Sequence, residues 1–237
     1  MRVTRSLAIA LGTFLIIAAG AYLWAPHWTP PRSSYPVQGI DVSGHQGTIA
    51  WGELRRQRID FAYIKATEGG DFRDKRFISN WMGADRAGIR RGAYHFFTLC
   101  RRGAEQAANF LATVPSDPNA LPSAVDLEFM GNCKKANRMT PAQLRQELWT
   151  FLRLVEARTH KPTILYLTDE FDRAYGVSSA IDRPLWLRRI IFEPRFGARR
   201  WTLWQASNFR RLDGIKGRVD WNVARLTWPQ QPPHSIP

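Results

Sequence analysis

The sequence predicts an α/β fold in which a mostly parallel sheet closes into a barrel. From Gln38 onward, short apolar runs alternate with helical patterns, and this alternation favours parallel strands joined by helices. About eight such runs fit into roughly 190 residues, which is typical of one barrel domain. The last three runs follow each other with little helix between them, so we expect an irregular TIM-like barrel.

The elements behind this prediction are short. Helical patterns lie at 49–57, 75–88, 103–114 and 141–159, and the last of these begins with Thr140 as N-cap and Pro141 at the first helical position. The predicted strands are Gly39–Val42, Phe61–Ala66, Gly92–Phe97, Ser123–Leu127, Thr163–Leu167, Leu185–Ile191, Trp201–Gln205 and Arg218–Trp221.

Residues 1–24 are expected to be a transmembrane anchor or a signal segment. Arg2 and Arg5 precede 18 uncharged residues, Leu7 to Trp24, which would span about 27 Å as a helix, close to the thickness of a bilayer core. The basic residues would keep the N-terminus in the cytoplasm. A cleaved signal is the alternative, because residues 19–21 (Ala-Gly-Ala) have the small-x-small form of a cleavage site. Both interpretations place the folded part outside the cytoplasm, in the periplasm or cell wall.

The remaining chain divides into a linker, one domain and a tail. Residues 25–37 contain four Pro and two Ser and are expected to form an extended linker. The barrel domain is expected at 38–228, followed by a short disordered tail at 229–237. No internal repeat is visible.

Charge and cysteine content limit the partners. The formal charge is +14, which suits anionic partners, but the predicted export argues against nucleic acid. Two cysteines in an exported chain favour a disulfide between Cys100 and Cys133. They are too few for a four-ligand zinc site, and no histidine pair has metal-binding spacing, so we expect neither metal nor cofactor.

The main chemical signal is a pair of acids at the end of a short apolar strand. Asp126 and Glu128 are two residues apart in Ala-Val-Asp-Leu-Glu, a spacing that places both on one face of a strand. In a barrel, the carboxyl ends of parallel strands face the active site. Two neighbouring acids cannot both ionise cheaply, so one can hold a proton at neutral pH. Glycoside hydrolysis needs such a donor and a second carboxyl group.

Further acids end other predicted strands. Asp41 ends the first, Asp220 ends the last, and Lys65 and Glu68 lie at the end of the second. A single acid at a strand end is commonly explained by loop solvation or helix capping. That explanation is strained for four strands together, so a shared acidic cleft is the better interpretation.

These segments resemble glycoside hydrolase family 25, the lysozymes of the Chalaropsis and cellosyl type. The similarity extends in order from about Gly39 to Ala224. Its pieces are GIDVSGHQG, FAYIKATEGGDF, RRGAYHFF, AEQAANFL, AVDLE, TILYL, PLWL, LWQAS and GRVDWN.

The resemblance implies a barrel of eight strands with five helices, and cleavage of the β-1,4 bond between N-acetylmuramic acid and N-acetylglucosamine. It makes Glu128 the proton donor and Asp126 its partner carboxylate, with Asp41 and Asp220 at the floor of the cleft. Two mechanisms stay open. Either the 2-acetamido group of the substrate attacks, oriented by Asp126, which we prefer, or a carboxylate attacks directly.

Other residues are expected to line the cleft by the same resemblance. Lys65 and Glu68 could contact substrate or form an ion pair that shapes the end of the second strand. The chain departs from the family after Trp186, where Leu187-Arg188-Arg189-Ile190 stands in place of the usual small residue followed by Tyr, and at Ala206, where an aromatic residue is usual. The expected cleft residues are Tyr94, His95, Tyr166, Trp186, Trp204 and Gln205.

The sequence therefore predicts a monomeric peptidoglycan muramidase, tethered to the membrane by its N-terminal segment or secreted. Two alternatives remain, a wall-binding module without catalysis and a glycosidase for another N-acetylated glycan. The four acids argue against the first alternative, because binding alone needs no proton donor.

Overall fold

A closed barrel of eight strands forms the body of the protein. The computed structural model describes residues 11–15, 18, 20, 24–129, 131 and 133–225. The order around the barrel is β1-β9-β8-β7-β6-β5-β4-β2, and β2 pairs with β1 to close it, while the short β3 pairs with β2 outside the ring. The strands are β1 (Val37–Val42), β2 (Phe61–Glu68), β3 (Phe72–Arg73), β4 (Arg90–Phe96), β5 (Ala124–Leu127), β6 (Ile164–Thr168), β7 (Leu185–Arg188), β8 (Leu203–Arg210) and β9 (Val219–Ala224).

Helices cover only part of the barrel. They follow the first five barrel strands, and no helix connects β7 to β8 or β8 to β9, a region that the structure describes in full. This arrangement confirms the predicted irregular barrel of a single domain. The helices are α1 (Trp51–Arg56), α2 (Phe77–Arg86), α3 (Gly103–Thr113), α4 (Pro141–Thr159), α5 (Asp169–Tyr175) and α6 (Val177–Ala180).

The last strand runs against all the other strands of the barrel ring. Strand β9 is antiparallel to β8 and to β1, whereas the remaining six pairings around the ring are parallel. Asp220 therefore lies at the beginning of a strand, not at its end as the sequence suggested. It still reaches the rim formed by the carboxyl ends of the other strands, because an antiparallel strand starts where its neighbours finish.

Alternation along the strands separates two apolar layers. Phe61 and Tyr63 of β2 point into the barrel and pack there with Trp186. The residues that alternate with them, Ala62 and Ile64, belong to the larger outer layer that the helices cover. A side chain at the rim faces the cleft only if it is in phase with the inner layer.

The Pro-rich segment 25–37, expected to be an extended linker, packs against the barrel. The guanidinium of Arg210 donates to the carbonyl of Pro26 at 2.7 Å. The ring of Tyr35 contacts that of Trp204, with centroids 5.6 Å apart. Since Arg210 ends β8, the Pro26 end of the segment lies at the rim of the barrel that carries the strands' carboxyl ends.

The outermost parts of the chain lie largely beyond this description. Of the predicted anchor at residues 1–24, only a few positions are described, and the predicted tail at 229–237 is outside the described residues. Among the positions that can be judged, no helix has both the length and the apolar character needed to cross a bilayer.

A disulfide ties two loops at the rim. Cys100 follows β4 and Cys133 follows β5, and these two strands are hydrogen-bonded neighbours. The cysteines are bonded, with their Cα atoms 5.9 Å apart. The predicted pairing is confirmed, and it holds the loop after Glu128 against the loop of the adjacent strand.

Candidate active site

A polar cavity of about 230 Å³ opens at the rim of the barrel. Strands β1, β5 and β9 contribute its carboxyl groups, and β4, β6, β7 and β8 complete its wall. Its lining residues are Asp41, Tyr94, Asp126, Glu128, Tyr166, Trp186, Arg188, Gln205, Asn208 and Asp220.

Asp126 holds a buried carboxyl oxygen without a partner. Its Oδ1 atom is shielded from solvent and accepts no hydrogen bond from any described residue. An unsatisfied buried oxygen is costly as part of a charged group, so protonation is favoured. Burial raises the pKa of Asp126 well above its ordinary value, and the nearby carboxyls of Glu128 and Asp41 raise it further.

Glu128 follows β5 and faces the cavity, two residues from Asp126. Within the described part of the chain, its carboxyl forms no ion pair within 4.0 Å and no hydrogen bond. Burial raises the pKa of Glu128, and the positive charge of Arg188 opposes that rise. The side chain can therefore hold a proton at a pH where an exposed glutamate is ionised.

A buried hydrogen-bond network fixes the third carboxyl group. Asp41 is 9% exposed, and its Oδ2 accepts from Asn222 at 2.7 Å and from Gln205 at 3.1 Å. The hydroxyl of Tyr166 donates to the Gln205 side chain at 2.9 Å, and the indole of Trp186 donates to that of Asn222 at 2.8 Å. The two amide side chains that donate to Asp41 are thus each held by an aromatic side chain, and this fixes the position of the Asp41 carboxyl.

The fourth carboxyl group, Asp220, lies opposite Asp41 in the register of β9 and β1. Burial, the negative charge of Asp41 and a hydrogen bond between the two carboxyls raise the pKa of Asp220 to about 8. Asp220 therefore carries the proton of this pair at neutral pH.

The structure places Lys65 and Glu68 in an ion pair, the second of the two roles considered for them. The Lys65 Nζ lies 2.6 Å from a carboxyl oxygen of Glu68 and 5.1 Å from the ring centroid of Phe96. Neither residue lines the cavity. The charge of Lys65 nevertheless lowers the pKa of both Asp126 and Glu128.

Two residues expected in the cleft point away from it. His95 is fully buried on the outer side of β4, where it bonds Thr67 at 2.7 Å and Gln106 at 3.1 Å and stacks on Phe151. Burial is the main cause that lowers the pKa of His95 to about 4. Trp204 also packs in the outer layer, because Gln205 takes the inward position on β8.

Two cavity residues, Arg188 and Asn208, were not proposed from the sequence as part of the site, and neither was Asn222, which is buried and bonds Asp41. Arg188 lies two positions after Trp186, and Asn222 lies two positions after Asp220, so strand alternation alone could have identified both. Asn208 follows a register irregularity between Gln205 and Ser207. A simple period of two fails across such an irregularity.

This geometry suits proton transfer to a bound molecule. The Glu128 carboxyl, whose pKa is raised by burial, faces an open cavity, and the carboxyl of Asp126 lies beside it. In the described portion, no group of three or more His, Cys, Asp or Glu side chains could hold a metal ion. The arrangement corresponds to the two carboxyls required for general acid catalysis at a glycosidic bond.

Comparison with known proteins gives a consistent result. Residues 40–215 match the family described as "Glycosyl hydrolases family 25". Lysozyme M1 of Streptomyces globisporus is 33% identical over 202 residues, covering 81% of this chain and 69% of that protein. A family 25 glycosyl hydrolase from Bacillus anthracis superimposes with a TM-score of 0.78 at 36% identity, covering 84% of this chain and 93% of that one. The bacterial lysozyme from Streptomyces coelicolor gives a TM-score of 0.75 at 33% identity, covering 81% and 93%.

Proposed function

The chain belongs to glycosyl hydrolase family 25, and from that membership we propose that it is a peptidoglycan muramidase with Glu128 as general acid. Its substrate bond is the β-1,4 linkage between N-acetylmuramic acid and N-acetylglucosamine. The observation that carries the assignment of Glu128 is its carboxyl, which faces the cavity with a raised pKa and has no partner among the residues that the structure describes.

In the proposed reaction, Glu128 gives its proton to the glycosidic oxygen as the bond from that oxygen to the muramic acid C1 breaks. The acetamido oxygen of the same sugar closes onto C1, and Asp126 orients this group. Water then opens the cyclic intermediate while Glu128 takes back a proton. The position of Asp126 in the cavity wall, beside Glu128, supports this role, because a carboxyl group there can accept a hydrogen bond from the acetamido N–H. Direct attack by Asp126 is the competing mechanism, and a trapped glycosyl ester on Asp126 would establish it.

The central experiment measures release of reducing ends from purified peptidoglycan. Glu128→Gln should reduce the rate by at least about a thousandfold, because an amide cannot donate the required proton. Asp126→Asn should also reduce it severely. Glu105→Gln, an exposed change of the same chemistry on α3, serves as the matched control and should keep the parent rate. Undiminished release by Glu128→Gln would contradict the assignment.

Two alternative functions have distinct outcomes in the same assay. Tight binding of the parent protein to peptidoglycan without any product would indicate a wall-binding module. Mass analysis of the new ends decides the substrate, since reducing N-acetylmuramic acid ends are expected. New N-acetylglucosamine ends would indicate cleavage of the other glycosidic bond of peptidoglycan, and faster cleavage of chitin would point to another glycan.

We also propose that the enzyme works outside the cytoplasm, held at the membrane by residues 1–24. Arg2 and Arg5 ahead of an uncharged segment support this orientation. Membrane fractionation should find the full chain with the bilayer and a chain beginning at Ala25 in the soluble fraction. A mature exported protein whose mass shows cleavage after residue 21 would contradict the tether and favour secretion.

A further inference from the structure

A cationic side chain, Arg188, lies in the carboxyl-lined cavity. Arg188 is the last residue of β7. It is in phase with Trp186, whose ring packs on Tyr63 inside the barrel at a centroid distance of 5.0 Å. Leu187, between them, packs in the outer layer. The alternation of the strand therefore directs the guanidinium inward, over the cavity.

The Arg188 guanidinium has no protein partner in the part of the chain that the structure describes, where it forms neither an ion pair within 4.0 Å nor a hydrogen bond. Two other partly buried arginines, in contrast, are paired with carboxylates. Arg183 holds Glu156 through two bonds of 2.7 and 2.8 Å, and Arg91 bonds Asp117 at 2.9 Å. The donors of Arg188 remain open to the cavity, where they present the fork that fits a carboxylate.

Charge balance explains why this cavity would need a cation. A ligand that carries a carboxylate would enter beside Asp41, Asp126, Glu128 and Asp220. The remaining negative charge on that cluster would repel it. Arg188 offsets this repulsion and can also form charge-assisted hydrogen bonds to the ligand.

We propose that Arg188 binds a carboxylate of the substrate and thereby selects muramic acid glycans over neutral N-acetylated ones. The proposal rests on the proposed muramidase function and adds a specificity-determining residue to it. The carboxylate has two possible sources, which share one chemistry. It belongs to the lactyl group where the peptide has been removed, or to the attached peptide where the peptide is present.

Binding without turnover provides the test. In a Glu128→Gln background, tryptophan fluorescence gives the Kd for three tetrasaccharide probes: neutral chitotetraose, a muramic acid fragment stripped of peptide, and the same fragment with its peptides. Arg188→Ala should weaken binding of the acidic fragments by about ten- to a hundredfold and leave chitotetraose within twofold. Arg188→Lys should recover part of the loss, because it keeps the charge but not the fork.

Arg189→Ala is the matched control. Arg189 is exposed and its guanidinium donates to the carbonyl of Glu193, away from the cavity, so all three affinities should stay unchanged. A loss confined to the stripped fragment identifies the lactyl carboxylate, and a loss confined to the other fragment identifies the peptide.

Three results would overturn the proposal. These are equal weakening for neutral and acidic probes, no weakening at all, or no binding of any probe to the Glu128→Gln protein. Failure of the proposed function is seen separately, as absence of reducing ends when the unsubstituted chain is incubated with peptidoglycan.

Discussion

Asp41 and Asp220 lie directly opposite each other on the antiparallel strands β1 and β9, where burial and the charge of Asp41 raise the pKa of Asp220 to about 8. Two acids in register across neighbouring strands repel each other when both are ionised. The protein tolerates the pair because Asn222 and Gln205 both donate to Asp41, which leaves Asp220 as the protonated member.

This pair should make the fold more stable in mild acid than at neutral pH. The pKa of Asp220 is about 8 in the folded protein and 3.8 for an ordinary aspartate. The folded state therefore binds more protons between these values, and stability from this group falls as pH rises through them. Asp220→Asn should be more stable than the parent by about 1 kcal/mol or more at pH 7, and equal to it near pH 4. Thermal unfolding of both proteins at pH 7 and pH 4 measures this difference in stability. A difference that does not change with pH would contradict the prediction.

Lys65 should lower the pH at which activity is lost on the alkaline side, without contacting the substrate. With Glu128 as the proposed general acid, the rate should fall as pH rises through the pKa of that group. Because the charge of Lys65 lowers this pKa, Lys65→Met should move the alkaline limb of the pH-rate profile upward by up to about one unit. Lys65→Arg keeps the charge and should leave the limb in place. A tenfold rise in KM with an unmoved limb would instead indicate direct substrate contact.

His95 should matter for stability and not for chemistry. Removing its buried ring by His95→Ala should cost about 2–4 kcal/mol at pH 7, since a cavity remains and its hydrogen bonds are lost. The folded pKa of about 4 lies below the ordinary 6.5. The parent therefore loses this stabilisation as pH falls from 6.5 to 4, and the difference from His95→Ala should narrow there. Urea unfolding gives these values, and kcat and KM at 20 °C should stay within about twofold of the parent. A large loss of kcat in a fully folded variant would contradict this prediction and indicate that His95 takes part in the reaction.

The disulfide should contribute substantially to stability. Cys100 and Cys133 close a loop with a sequence separation of 33, and such a crosslink stabilises by about 3–4 kcal/mol through the unfolded chain. Replacing both cysteines with alanine should lower the free energy of unfolding by that amount, as measured in guanidinium. Thiol titration of the denatured, unreduced protein should find no free thiol. Two reactive thiols would contradict the pairing.

Much of the barrel could be predicted because its strands are short apolar runs between polar residues. All eight predicted strands are present, with boundaries that differ by a few residues. The direction of β9 could not be predicted, because a strand buried in a sheet has the same sequence pattern in either orientation. The sequence placed Asp220 at the rim as the end of a parallel strand, whereas Asp220 lies at the rim because it begins an antiparallel one.

The site was predictable where an acid ends a strand, and less so where the choice was between adjacent residues. Trp204 and Gln205 are neighbours on β8, and only the phase of the strand decides which one faces inward. His95 follows Tyr94, which lines the cavity, and the same phase error placed it there. Arg188 was noticed only as a departure from the family, because a single arginine carries no pattern until the strand is oriented.

The packing of residues 25–36 along β8 has a consequence for the distance over which the enzyme could act. A free chain of that length could extend about 40 Å. The hydrogen bond from Arg210 to Pro26 and the ring contact between Tyr35 and Trp204 instead hold the segment against the barrel. With the proposed membrane tether, the distance between the barrel and the membrane then depends only on the residues before Ala25. Since the docked segment begins on the same rim as Glu128, the glycan strands within that reach are those nearest the point of attachment.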